Sequence, residues 1–141
     1  MKLKSILIAI AVLLPTCLFA QQQGMPSDEE IEKMMYESIE KEIRKYDELL
    51  KLEEWQIFYI DSILTHNYDE MRREQMKLSK GGVSTADAYQ RAIDNCFEKN
   101  YQAFSLVLNE EQWAKYLKMG GAKDKKLRDK RKAKREAKGI Y

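Results

Sequence analysis

The sequence predicts an all-α protein, and three observations carry that prediction. Apolar residues recur in steps of three and four through nearly all of residues 28–117. Capping signals stand ahead of these periodic runs. No stretch alternates polar and apolar residues between turn signals, so no strand is expected.

The first helix opens at Pro26-Ser27-Asp28-Glu29-Glu30, where Ser27 as N-cap and Glu30 three residues on make a capping box. Its stripe is Ile31, Met34, Met35, Ile39, Ile43, Tyr46 and Leu50. Glu29–Lys33, Glu37–Lys41 and Glu40–Arg44 place an acid four residues before a base, the favourable order. The second helix is expected from Glu53 to about Leu78, with Ile57, Ile60, Leu64, Tyr68, Met71 and Leu78 on one face. At 1.5 Å per residue it would be ~39 Å long, which favours an elongated body over a compact bundle. Trp55, Phe58 and Tyr59 project from roughly the opposite side, so this helix is either covered twice or shows an apolar patch.

Gly81-Gly82 stops the second helix, since paired glycines suit a C-cap better than a helix interior. Ser84 with Asp87 is expected to cap the third, whose stripe is Tyr89, Ala92, Ile93, Cys96, Phe97, Phe104 and Val107. The fourth begins at Asn109-Glu110-Glu111-Gln112, an N-cap with Gln at the third position. It carries Trp113, Tyr116 and Leu117 before Gly120-Gly121 weakens it.

The ends differ from this body. Residues 1–20 have a basic start (Lys2, Lys4), an apolar core over 5–14 and a small residue, Ala20, before three glutamines. That layout is a secretory signal peptide cleaved after Ala20. The apolar core is shorter than the roughly 20 residues of a spanning helix. Residues 21–27 read as a short flexible linker and 28–117 as the helical domain. Residues 118–141 form a basic tail, either a solvated helical extension or disordered.

The 25 basic and 23 acidic residues of the chain are unevenly placed. Residues 21–117 carry a net charge of −8 and residues 118–141 a net charge of +8. Nucleic acid is not an expected partner of an exported tail; an anionic membrane surface, an acidic client or the acidic body itself suits it better.

Enzymatic chemistry is not expected. His66 has no partner the sequence nominates, and no G-x-S-x-G or phosphate-cradling glycine loop is present. Cys96, the one cysteine left after export, lies on an apolar stripe and reads as a buried thiol. One His with Asp69 and Glu70 nearby is a weak metal set, so no metal or cofactor is assigned.

One spacing repeats. Leu52-Glu53-Glu54-Trp55-Gln56 and Leu108-Asn109-Glu110-Glu111-Gln112 are both L-x-x-x-Q elements that open helices, 56 residues apart. This resembles the Spy/CpxP family of periplasmic proteins, whose L-T-x-x-Q (LTXXQ) signature occurs twice. Glu53 and Asn109 stand where the signature has Thr. The resemblance implies elongated antiparallel helical hairpins of about four helices in a thin, curved homodimer. It also implies an ATP-independent holdase for unfolded or misfolded envelope proteins, tied to stress response. Leu52, Gln56, Leu108, Asn109 and Gln112 are then the motif residues, and Trp55, Phe58 and Tyr59 the expected client or dimer contacts. Related functions are an envelope-stress sensor or regulator binding one protein partner, and a metal-stress protein.

Overall fold

A computed structural model describes residues 27–83 and 85–139. The expected leader with its expected cleavage site and the expected cap Ser84 lie outside the described residues. The chain divides into two compact units, 1–34 and 35–141. Of the first, the described part holds the expected capping box: the Glu30 amide donates to Ser27 Oγ (3.2 Å) and the Ser27 amide to Glu30 Oε2 (2.8 Å). All packing described below belongs to the second.

The described residues are helical, without strands. Helix α1 is Asp28–Leu50, α2 Glu54–Lys80, α3 Ala86–Val107, α4 Glu110–Tyr116 and α5 Ala122–Glu136. A π-turn at Leu117–Gly121 joins α4 to α5, making one bent helix of the two. The third helix starts a residue later than expected. Thr85 is its N-cap, with extended backbone (φ −77, ψ 128), and its carbonyl accepts from the Ala88 amide.

The core is built by the predicted stripes. Ile39 and Leu50 of α1, Ile60 and Leu64 of α2, Phe104 of α3 and Leu108 of the following turn are buried together. Met35, Ile43, Tyr46, Leu52, Trp113 and Tyr116 pack around them. Ile31, Met34 and Phe97, placed on stripes by their spacing, are exposed. Tyr46, Phe104 and Tyr116 meet edge to face at 5.5–6.0 Å, a geometry that aromatic quadrupoles favour. Polar links set the pairing of α2 with α3: Asn67 Nδ2 donates to Asn100 Oδ1 (2.7 Å) in the interior, and Lys99 pairs with Glu70 nearer the surface. Glu42 of α1 accepts from Tyr46 (2.7 Å) and from Tyr68 of α2 (2.9 Å). Burial, then the Glu42 charge, pushes both phenols far above their ordinary range.

The basic segment is more than a solvated extension. Its helix α5 lays one face on α3, where the buried Asp94 accepts from Arg131 (2.6 and 3.0 Å) and from Arg135 (3.1 Å). Glu98, one turn on, pairs with Arg128 and Lys125. Arg128 also lies over the Tyr101 ring, 5.6 Å from its centroid.

Two glycines make this return. Gly120 has φ +129, a conformation L side chains rarely adopt, and breaks the helical run. At Gly121 the constraint is space: a Cβ would stand 2.6 Å from Tyr116 Cε1 and 3.0 Å from the Tyr116 carbonyl oxygen. The Tyr116 ring stacks on Trp113 and cannot simply move aside. Gly121→Ala is therefore expected to cost about 2 kcal/mol by overpacking. Urea denaturation measures the loss, and limited trypsin digestion should show earlier cleavage within α5.

Candidate functional site

The two L-x-x-x-Q elements meet in the interior. Gln56 and Gln112 are each the third residue of their helices and are 2 % and 5 % exposed. Gln56 Oε1 accepts from the Glu53 amide (2.9 Å) and Gln112 Oε1 from the Asn109 amide (3.1 Å), so each caps its own helix. The remaining bonds cross between elements. Gln56 Nε2 donates to Gln112 Oε1 (2.7 Å), and Gln112 Nε2 donates to Gln56 Oε1 (2.9 Å). Gln56 Nε2 also donates to the Val107 carbonyl (3.0 Å), and Gln112 Nε2 to the Lys51 carbonyl (3.2 Å).

Lys51 precedes Leu52 just as Val107 precedes Leu108, so the two elements bond each other by one rule. The amide side chain is what this rule needs, because one group must accept a cap bond and donate two others. Leu108 is buried in the core and Leu52 packs against it, which fixes the chain entering each helix. Asn109 completes its box by accepting from the Gln112 amide (2.9 Å). Glu53 and Gln56 form the matching capping box, and the Glu53 carboxylate also accepts from Trp55 Nε1 (2.7 Å), orienting the indole.

Lys51 turns the chain with φ 55, in the left-handed region. This conformation costs a non-glycine residue about 1–2 kcal/mol. Lys51→Gly is expected to raise the unfolding free energy by about 1 kcal/mol, since glycine relieves that strain at some entropic cost. Urea denaturation checks it.

Just beyond the glutamine pair, α2 presents an aromatic ridge. Trp55, Phe58 and Tyr59 are 49 %, 67 % and 53 % exposed. They contact one another edge to face, Trp55 with Tyr59 at 6.1 Å and Phe58 with Tyr59 at 5.8 Å. Phe58 also borders a groove of ≈ 640 Å³ between α1 and α2, floored by Ile39, Ile43 and Ile57 and flanked by Tyr36, Glu40 and Arg44. Glu40 and Arg44 pair across its rim (3.6 Å). Apolar rings beside an apolar floor with a charged edge form a surface that can receive an extended or helical apolar segment.

His66 is exposed, 3.9 Å from Glu70. Among the described residues no three His, Cys, Asp or Glu side chains converge as a metal site would need. Cys96 is buried, and burial pushes its thiol up to about 12. No described helix is long and apolar enough to cross a membrane.

Two features were not foreseen from the sequence: the crossed glutamine bonds and the Asp94 seat for the tail. The 56-residue repeat pointed to the first. The second had a fainter signal, acids four apart at 94 and 98 on α3 and bases at 128, 131 and 135 at helical spacing. Comparisons with protein-family models, with curated proteins and with solved structures find no match to the chain.

Proposed function

We propose that this protein is an exported, ATP-independent holdase of the Spy/CpxP type, binding unfolded or misfolded envelope proteins. The observation that carries this reading is the exposed ridge of Trp55, Phe58 and Tyr59 beside the α1–α2 groove. Three adjacent exposed rings cost a monomeric protein solubility unless they serve binding. Tyr and Trp suit this use because they offer large contact area with few rotatable bonds. Capture by such a surface is reversible, driven by burial of client apolar area and needing no nucleotide.

The paired L-x-x-x-Q elements support the family reading, since the repeated Gln is a structural clamp here rather than a chance spacing. The contacts of Gln56 with Val107, Asn67 with Asn100 and Glu70 with Lys99 fit an antiparallel hairpin of α2 and α3. In this proposal the protein acts as a homodimer, in the periplasm, after removal of residues 1–20. Aggregation of an unfolding client followed by light scattering tests the proposal: suppression at several-fold molar excess is expected, and none would refute it. A pull-down yielding one stoichiometric partner would favour a single-partner regulator instead.

A further inference from the structure

Helix α5 sorts its cations by face. Arg128, Arg131 and Arg135 point to α3 and are engaged by Glu98 and Asp94. Lys123, Lys126, Lys130 and Lys134 fall on the opposite side at steps of three, four and four, and all four are exposed. No acid among the described residues pairs with any of them; Asp129 and Glu136 pair with Lys125 and Lys132. Leu127, 43 % exposed, lies at the border of this stripe. The stripe runs ~17 Å along a helix whose other face is anchored by ion pairs.

We propose that this lysine face of α5 is a docking surface for anionic phospholipid headgroups, holding the protein at a membrane surface without insertion. Charge complementarity carries the choice of occupant. A fluid headgroup layer presents mobile phosphates that need no fixed geometry, and lysine ammonium groups on flexible stems meet them as point charges. The arginines, whose planar forks suit fixed carboxylates, are spent on Asp94 and Glu98. Leu127 borders the groove between α5 and α3, so the face offered to headgroups is the four lysine ammonium groups, as docking without insertion requires. This surface is separate from the aromatic ridge on α2, so it does not depend on the holdase reading.

The test is co-sedimentation of the full chain with phosphatidylcholine vesicles and with vesicles also containing phosphatidylglycerol. The readout is the preference for the anionic vesicles, which removes any charge-independent adsorption. A clear preference that weakens with added salt is expected. It should fall about 5-fold for each lysine neutralised in the series K123Q, K126Q, K130Q and K134Q. A control set on other surfaces, K33Q, K41Q, K77Q and K80Q, removes the same charge and should leave most of the preference. Circular dichroism confirms that both sets remain folded. The proposal is overturned by no preference in the wild type, by an unchanged preference in the quadruple α5 variant, or by an equal loss in the control set. Soluble polyglutamate that binds tightly and abolishes the preference would make an acidic polypeptide the occupant, and would also overturn it.

Discussion

Gln56→Leu is expected to lower the unfolding free energy by about 3 kcal/mol, a large effect for an uncharged, volume-conserving change. Leucine fills the space but makes none of the bonds. The Glu53 amide loses its cap, the Val107 carbonyl loses a donor, and Gln112 keeps its bonds to Asn109 and Lys51 but loses both to its partner. Each buried polar group left unsatisfied costs about 1–3 kcal/mol, whereas a bond made returns less than that in net stability. Gln112→Leu should behave alike, because it mirrors the same arrangement. The double variant should cost less than the sum of the singles by about 1 kcal/mol or more, since the reciprocal bonds are counted in both. Urea denaturation of the four proteins gives the cycle. Additive losses would mean that the glutamines cap their helices independently and that the crossed bonds contribute nothing.

Asp94→Ala is expected to release α5 from α3 and to cost about 3 kcal/mol, because two arginines lose the carboxylate they share. Burial would raise the Asp94 carboxyl, but hydrogen bonds from Arg131, Gln90 and Arg135 outweigh it and hold the group below its ordinary value. A carboxyl with a depressed folded-state pKa adds stability that is complete above its unfolded value. That stability declines as the pH falls below about 4 and is gone once the pH passes the folded value. In acid, therefore, hydrogen exchange of the α5 amides, measured at that pH, should be as fast in the wild type as in Asp94→Ala. Unfolding midpoints of the two proteins should likewise converge as the pH is lowered.

The helices were legible because local signals and long-range packing agree. Ser27 with Glu30 and Asn109 with Gln112 announce helix starts that their side chains do make. Ile39, Leu50, Ile60, Leu64 and Phe104 fall where the 3.6-residue period places a core. Glu53 shows the limit of such reading. Judged by residue type it is a weak cap, yet it forms a capping box with Gln56 and its carboxylate also holds Trp55. The bent return of α5 was hidden for a different reason. Gly120-Gly121 signals an interruption, but its direction depends on a positive φ and on the Tyr116 ring, neither of which has a sequence period. A net charge of +8 over residues 118–141 likewise suggests a solvated segment until Asp94 and Glu98 are seen to neutralise one face of it.

The spacing of Trp55, Phe58 and Tyr59 puts an apolar surplus on the back of α2, and all three stand exposed there. Whether clients use it is decided by one comparison. Light scattering from an aggregating client would be followed with wild-type protein and with the W55Q/F58S/Y59S variant, after matched circular dichroism spectra show that both are folded. The expected result is suppression by the wild type at several-fold excess and its loss in the variant. Aggregation that proceeds unchecked with the wild type, or suppression that survives removal of all three rings, would contradict a client-binding ridge.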